Sequence, residues 1–302
     1  MERVLKLLEY TVINHKYKNI NQILKQEFKI SARLLNKLIN LKYVNLNGIP
    51  TDTRNEVSIG DIITVNLDFE EESENIVTTN IPLDIVYEDD SLLVLNKPSG
   101  IAIHPSILHY NDSLSNGVKF YFEQKGLHRK IRPVNRLDFN TSGLVIFAKN
   151  QYIQECLIQQ MKENIFKKEY IAFVYGILAN KIGTINLPIS RKPNSIIERC
   201  ISNDGQEAIT DYEVLQIHKT SDFSEVKCIL RTGRTHQIRV HMSAIGHPLL
   251  GDTMYGHSSN LIDRQALHSY RISFVHPITK KTLELTCDLP YDMKCTKEDR
   301  PL

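Results

Sequence analysis

Near the N-terminus, the apolar residues recur at helical spacing. Over residues 20–28 and again over residues 34–39 they return every three or four positions, which places them on one face of a helix. We therefore expect two helices, the second of which is capped by Ser31. An alternating stretch then runs into Asn47-Gly48, a dipeptide typical of a tight turn, so the pattern predicts a hairpin at that point.

Beyond residue 80 the apolar residues form short runs typical of buried strands, and helical spacing returns over residues 113–124 and 151–163. Strands that alternate irregularly with few helices indicate an α+β fold with a mixed, largely antiparallel sheet, preceded here by a small N-terminal α/β domain. The predicted strands cover residues 85–87, 92–95, 144–148, 171–175, 210–215, 226–230, 266–274 and 282–287.

The change of pattern divides the chain into three parts. We expect a small domain over residues 1–69, a linker over residues 70–80 and a large domain over residues 81–302. The linker is predicted from its composition, because glutamate, threonine and asparagine dominate it and no apolar periodicity runs through it.

Composition indicates a globular protein. Hydrophobic residues make up 41% and charged residues 24% of the chain, which are ordinary values for a globular protein. No apolar run reaches the roughly eighteen residues of a membrane span, and the N-terminus lacks the pattern of a signal peptide, so we expect a cytoplasmic location. The five cysteines are scattered and form no CxxC pair, which argues against a disulfide framework or a structural zinc site.

The net charge of +2 hides two basic stretches. Residues 125–136 contain five Lys or Arg and no acid, and residues 226–251 contain four Lys or Arg, three His and no acid. Such local positive charge predicts surfaces that contact a polyanion. The three histidines lie five and six positions apart, which does not match helical metal ligands, so we expect no metal site.

Asp138 is the candidate chemical residue. It is a lone acid two positions after Arg136, and it is followed by the turn-forming residues 140–143 and the apolar run 144–148. A carboxylate beside arginines stays ionised at neutral pH, and the surrounding positive charge attracts a polyanion that the acid alone would repel. The pattern therefore places a reactive carboxylate on a turn at the start of a buried strand.

Four motifs follow one another in the large domain: LLVLNKPSGIAIHP, VNRLDFNTSGLVIFAK, KKEYIAFVYG and LRTGRTHQIRVHMSAIGHPLLGDTMYG. In this order they resemble the motifs of the RluA/RluD family of RNA pseudouridine synthases, and the resemblance covers about residues 81–289. One departure follows Asp138, where Phe139-Asn140 replaces a more usual basic-acidic pair and removes an expected phosphate contact. The two N-terminal helices, the hairpin and the closing strand resemble the small RNA-binding domain first seen in ribosomal protein S-four.

The resemblance implies an activity and a site. A pseudouridine synthase detaches uracil from its ribose, rotates it and rejoins it through ring carbon five, which requires no redox or energy input, so no cofactor is expected. The resemblance assigns Asp138 as the catalytic carboxylate and Arg239 as its ion-pair partner. Tyr170 would stack on the flipped uracil and could take the proton from ring carbon five.

Other residues of the motifs receive supporting roles by the same resemblance. Arg136 would fill the gap left by the flipped base or contact neighbouring phosphates. Arg234 and His236 are expected to contact the RNA backbone or support a strand, and Gly251-Asp252 is expected to be a structural turn.

RNA is the expected partner, with ribosomal RNA favoured and transfer RNA the alternative. We expect neither a membrane contact nor an obligate protein partner. The residues expected to contact RNA are Lys25, Lys29, Arg33, Lys37 and Lys42 in the small domain and Arg129, Lys130, Arg132, Arg136 and Arg234 in the large domain.

Two alternatives compete with this interpretation. A non-catalytic RNA-binding or ribosome-assembly factor would explain the basic stretches and the N-terminal domain, but not the presence of Asp138, Tyr170 and Arg239 together. A hydrolase using Asp138 would need a second acid, a metal cluster or a Gly-x-Ser-x-Gly elbow near these motifs, and none is evident in the sequence.

Overall fold

A small antiparallel sheet and a large mixed sheet make up the protein. The computed structural model describes residues 7–297. The small sheet has the strand order β1-β4-β2-β3. Its elements are β1 (Leu7–Thr11), α1 (Ile20–Gln26), α2 (Ala32–Asn40), β2 (Val44–Leu46), β3 (Ile49–Pro50) and β4 (Ile62–Asn66).

Local chemistry explains how the small domain folds. The hydroxyl of Ser31 accepts a hydrogen bond from the backbone N–H of Leu34 at 3.2 Å and so caps α2 as predicted. At the turn between β2 and β3, Asn47 and Gly48 have φ angles of 53° and 81°, which is the left-handed conformation that a two-residue hairpin turn requires. The two helices and the hairpin are confirmed, whereas strand β1 was not predicted.

The large sheet has nine strands in the order β5-β6-β7-β14-β8-β13-β12-β9, with β15 paired to β14. Its strands are β5 (Ile85–Glu88), β6 (Leu92–Lys97), β7 (Ser142–Ala148), β8 (Lys167–Tyr175), β9 (Ile182–Asn186), β12 (Ile209–His218), β13 (Phe223–Leu230), β14 (Leu267–Val275) and β15 (Thr282–Thr286). The pair β7–β14 is parallel, and the other pairs of this sheet are antiparallel. The predicted α+β fold with a mixed, largely antiparallel sheet is confirmed.

The remaining elements lie beside this sheet. They are α3 (Leu114–Gln124), α4 (Gln151–Lys162), the hairpin of β10 (Ile189–Arg191) and β11 (Arg199–Ile201), α5 (Gln237–Ala244) and α6 (Tyr291–Lys297). The predicted helices α3 and α4 are confirmed. The sequence pattern did not predict α5, and His236 is the residue that immediately precedes this helix.

The two faces of the large sheet bury different partners. Alternate residues of β7 divide between them: Leu144 and Ile146 join a core with α4 and the small domain, and Val145 and Phe147 join a core with α3, α5 and Tyr170. The small domain is therefore packed against the sheet face opposite the one that carries Tyr170. The domain boundaries at residues 69 and 81 stay a prediction.

Membrane insertion by a helix is not supported in residues 7–297. None of the helices described there is long and apolar enough to cross a bilayer.

Candidate active site

Asp138 lies on the turn that leads into β7, as the sequence predicted. Its backbone carbonyl accepts a hydrogen bond from the N–H of Thr141 at 3.1 Å, and its side chain is 20% exposed. The approach to the turn is fixed by Asn135, whose amide group donates to the carbonyl of Leu144 and accepts from the N–H of Ile146, both at 2.9 Å. The carboxylate is thus held on a rigid turn and remains accessible.

Lys97 links the loop after β6 to the turn that carries Asp138. Its fully buried ammonium group donates to the carbonyls of Pro98, Ile101 and Phe139, each at 2.9 Å. Burial lowers the pKa of Lys97 to about 7, and the charge of Asp138 works against this shift. Because only the ammonium form has three N–H donors, the three carbonyls favour the charged lysine. Sequence reasoning missed this residue, although it lies within the first motif.

Arg239 projects from α5 and links two carboxylates. One terminal nitrogen of its guanidinium, Nη1, lies 3.3 Å from Oδ2 of Asp138. The other edge of the guanidinium donates to Asp252, from Nε at 2.7 Å and from Nη2 at 2.9 Å. Burial lowers the pKa of Arg239, but the hydrogen bonds and the charge of Asp252, with a further contribution from Asp138, raise it above its ordinary value. The structure thus brings Asp138 and Arg239 together.

Asp252 lies on the expected turn, and its side chain also takes part in the site. Its side chain is 1% exposed and forms a two-point ion pair with Arg239. Its Oδ1 also accepts the backbone N–H groups of Met254 at 3.1 Å and Tyr255 at 3.3 Å. The sequence predicted the turn of the backbone at Asp252 but not the ion pair of its side chain. The partner, Arg239, is 13 residues away on a helix that was not predicted.

His236 is the second side chain, after Arg239, that lies next to Asp138. Its Nε2 lies 3.8 Å from Oδ1 of Asp138, and its Nδ1 lies 2.7 Å from the hydroxyl of Tyr255. Burial lowers the pKa of His236, Arg239 and Arg199 add to this effect, and Asp138 opposes it. The imidazole is therefore neutral at neutral pH. It precedes α5 with a φ angle of 57°, a left-handed conformation that fixes the direction in which the helix begins.

Tyr170 lies in β8, is 5% exposed and shares a buried core with Leu137 and Ile238, which are next to Asp138 and Arg239 in the chain. Burial raises the pKa of Tyr170 well above its ordinary value, and Asp138 raises it further. The phenol therefore stays protonated, which favours stacking on a base over removal of a proton. The structure brings Tyr170 into the same region as Asp138 and Arg239.

The residues expected to contact RNA fall into several groups. Arg136 is exposed beside the site, and its charge, together with burial, lowers the pKa of His104. Arg234 is half-buried, with its Nε donating to the carbonyl of Glu207 at 2.9 Å. The side chains exposed to solvent on the remaining surfaces are those of Lys25, Lys29, Arg33, Lys42 and Lys130, and Lys37 is partly buried.

Arg129 and Arg132 lie in buried ion pairs and not on an open surface. Arg129 forms an ion pair with Asp68 and donates to the carbonyl of Phe69 at 2.5 Å, and Arg132 forms an ion pair with Glu71 at 2.7 Å. Both guanidinium groups are buried, so they hold the segment after β4 against the large domain. In this structure the charges of Arg129 and Arg132 are therefore paired with acids of the same chain.

A resident metal ion has no obvious ligands in the part of the chain that the structure describes. Residues 7–297 contain no group of three or more His, Cys, Asp or Glu side chains arranged to hold one. His241, one of the histidines in the second basic stretch, instead contacts the hydroxyl of Thr210 and the carbonyl of Leu187, both at 2.9 Å.

Comparisons with known proteins agree on one family. A family described as RNA pseudouridylate synthase matches residues 91–244. YjbO of Bacillus subtilis (strain 168), which is described as an uncharacterized RNA pseudouridine synthase, is 40% identical over 271 residues, or 88% of this chain and 94% of that protein. The ribosomal large subunit pseudouridine synthase D of Blochmanniella floridana is 34% identical over 276 residues, which are 85% of each chain.

A solved structure extends the agreement to the fold. The human RNA pseudouridylate synthase domain containing 1 matches with a TM-score of 0.59 and 28% identity over 72% of this chain and 89% of that one. The fold and its relatives define an RNA-modifying isomerase. The chain belongs to the RluA/RluD type of RNA pseudouridine synthases.

Proposed function

We propose that this protein converts specific uridines of structured RNA to pseudouridine with Asp138 as the catalytic carboxylate. The supporting observation is the arrangement around that acid: Arg239 reaches it at 3.3 Å while Asp252 holds the other edge of the guanidinium. Tyr170 lies in the core on the same face of the sheet as α5, the helix that carries Arg239.

The reaction rearranges bonds within one nucleotide. The bond from ribose C1′ to uracil N1 breaks, the base rotates, and a bond from C1′ to C5 forms. N1 gains a proton and C5 loses one, so the atoms balance without a second substrate. The Asp138 carboxylate can act by adding to C1′ or by removing a proton from the sugar, and both routes require it to be ionised next to Arg239.

Access to the base requires that the nucleotide leave the helix or loop in which it is stacked. Flipping costs about a few kcal/mol in lost stacking and pairing. We assign Arg136 to the space vacated by the base or to the adjacent phosphates, because it is exposed two residues before Asp138. Tyr170, as a neutral phenol, would stack on the flipped uracil and offset part of this cost.

We propose ribosomal RNA of the large subunit as the substrate. A relative that is 34% identical over most of both chains is described as a ribosomal large subunit pseudouridine synthase, which supports this choice. The small domain adds exposed lysines and arginines at a distance from the catalytic acid, as recognition of a folded RNA requires.

Mapping of pseudouridine in the stable RNAs of cells lacking the gene tests this proposal. We expect a uridine of large-subunit ribosomal RNA to lose its modification, and to regain it when the wild-type gene but not the Asp138→Asn variant is supplied. A lost site in transfer RNA would redirect the substrate assignment. An unchanged pattern in all stable RNAs would contradict the proposal and favour a non-catalytic binding factor.

A further inference from the structure

A charged cleft lies between the small domain and the large sheet, away from Asp138. Its volume is about 340 Å³. Four cationic side chains and three carboxylates dominate its walls, and the cations come from both domains. The lining residues are Arg33, Lys37, Glu70, Glu71, Glu72, Lys130, Arg132 and Gln151.

The Glu71 carboxylate lies between cations of the two domains. It accepts a hydrogen bond from Lys37 of α2 at 2.5 Å and forms an ion pair with Arg132 of the large domain at 2.7 Å, and its side chain is 9% exposed. Lys37 is also positioned by the ring of Phe69, whose centroid lies 4.4 Å from the ammonium nitrogen. Proteins commonly bind phosphate with arginine and lysine side chains. The Glu71 carboxylate therefore lies where a phosphate group would find both kinds of cation.

The cleft is connected to the catalytic acid by a short extended segment. Residues 132–134 run beside β7, since the carbonyl of Arg132 accepts from Ala148 and the N–H of Val134 donates to Ile146, both at 2.8 Å. Arg132 and Asp138 are six positions apart in the chain, so their Cα atoms lie no more than about 22 Å apart. This distance is short enough for one folded RNA to reach both the cleft and the active site, although they lie on opposite faces of the sheet.

We propose that this cleft is a second binding site for the RNA backbone. In the free protein the Glu71 carboxylate occupies the position that a phosphate takes in the complex. The inference rests on the proposed function, because it takes RNA as the ligand. On RNA binding, a phosphate replaces Glu71 between Lys37 and Arg132, while Arg33 and Lys130, which are exposed at the rim, contact neighbouring phosphates. RNA entry thereby loosens one of the ion pairs that hold the small domain in place.

Removal of the charge at Glu71 tests the proposal. RNA affinity is measured by fluorescence anisotropy with a short labelled oligouridylate, in proteins that also carry Asp138→Asn so that no turnover occurs. We expect Glu71→Gln to tighten binding about three- to tenfold, because RNA no longer has to displace a carboxylate. The matched control is Glu74→Gln, which removes one charge from an exposed position of the same segment and should change the affinity less than about twofold.

A second pair of variants keeps the test informative if Glu71→Gln fails to fold. Arg33→Ala and Lys130→Ala alter exposed side chains at the rim and should each weaken binding and reduce the slope of log affinity against log salt by about 0.7, the contribution of one phosphate on a single strand. Lys281→Ala, an exposed lysine on the turn between β14 and β15, is the control and should leave the slope unchanged.

Equal or weaker binding by folded Glu71→Gln relative to Glu74→Gln would overturn the proposal, as would rim variants that match Lys281→Ala. These results are separable from a failure of the proposed function. A protein that forms pseudouridine normally but shows no effect at the cleft contradicts only the cleft, whereas a protein that modifies no RNA contradicts the function itself.

Discussion

Arg239 has one guanidinium group and two carboxylate partners. Asp252 takes the Nε and Nη2 edge at 2.7 and 2.9 Å, which leaves Nη1 directed at Asp138. Asp252 also binds the backbone of Tyr255, whose hydroxyl contacts His236 next to Asp138. One buried acid therefore orients both side chains that face the proposed catalytic carboxylate.

Replacement of Asp252 by asparagine should expose this positioning role. The amide keeps the shape of the carboxylate but loses its charge, so Arg239 is no longer held at one edge and moves relative to Asp138. We expect kcat to fall about 10- to 100-fold, the size of effect that a small misplacement near the chemistry produces, with RNA affinity changed by less than about twofold. Single-turnover kinetics with saturating protein measure the first quantity and a binding titration the second.

The exposed Asp263 provides the matched control, since Asp263→Asn makes the same chemical change outside the site. A wild-type kcat in folded Asp252→Asn would show that Arg239 is positioned without its carboxylate partner.

The sequence motifs indicated some of the residues around Asp138 and not others. Asp138, Arg239 and Tyr170 were assigned from the resemblance of the motifs, and the structure places Arg239 3.3 Å from Asp138 and Tyr170 in a core with Leu137. Lys97 and Asp252 were missed because their importance depends on partners that are distant in the chain, and neither residue type signals such a partner by itself. The ion pairs of Arg129 and Arg132 were not predicted for the same reason, since their acidic partners lie about 60 residues earlier.

Among the secondary-structure elements, β7 and β14 make a close contact on which the centre of the large sheet depends. These strands are parallel, and Gly143 is paired with Ser269. Gly143 has a φ of 112°, and a Cβ atom added there would lie 2.3 Å from the carbonyl oxygen of Ser269. This contact determines where β7 begins and therefore where the preceding turn places Asp138.

Gly143→Ala should consequently destabilise the protein strongly. A methyl group would strain the backbone and overlap a neighbouring strand, so we expect the free energy of unfolding to fall by about 3 kcal/mol. Urea denaturation measures it. Gly246→Ala is the control, because Gly246 also has a positive φ, of 86°, but no atom lies within 4 Å of its added Cβ, and its cost should be about 1 kcal/mol. Equal losses in the two variants would contradict the importance of the interstrand contact.

The same strand pair contains a buried histidine that links stability to pH. His268 of β14 is fully buried and contacts the hydroxyl of Ser142 at 2.9 Å. Burial lowers the pKa of His268 to about 4, from an ordinary value of 6.5. In the folded protein the imidazole is neutral, whereas in the unfolded chain it binds a proton below about pH 6.5. Its contribution to stability is therefore present above pH 6.5 and is lost as the pH falls toward 4.

We expect His268 to account for about 2 kcal/mol of the stability lost between about pH 7 and about pH 5. Urea denaturation of the wild type and of His268→Gln at both pH values measures this, and the variant should lose less stability on acidification by that amount. Parallel pH dependences in the two proteins would show that His268 is protonated as readily in the folded state as in the unfolded one.

The sequence pattern predicted best those elements that bury one face and expose the other. Helices α2 and α4 have one apolar face and were recognised from their spacing. Helix α5 is eight residues long and buries every residue from Gln237 to Met242, polar ones included, so it lacks the periodicity that marks a surface helix. The short strands β10 and β11 and the edge strand β9 likewise carry little hydrophobic pattern.

For the whole molecule, the order of the two domains was predicted, but their contact was not. We expected residues 70–80 to be an acidic linker. In the structure Glu71 is buried between Lys37 and Arg132, and the hydroxyl of Ser31 donates to Glu155 of α4 at 2.9 Å. Charge complementarity between distant segments produces this contact, and a one-dimensional pattern does not reveal it. The small domain and Tyr170 pack against opposite faces of one sheet.

Tritium release from RNA labelled at C5 of uridine tests the central claim most directly. Each conversion replaces the C5–H bond by the bond to the sugar, so tritium appears in water once per pseudouridine formed. With ribosomal RNA from cells lacking the gene, we expect the wild-type protein to release tritium and the Asp138→Asn variant to be slower by about 10³-fold or more, while its RNA affinity stays within a few-fold. Release by Asp138→Asn at the wild-type rate would contradict the assignment of Asp138 as the catalytic carboxylate.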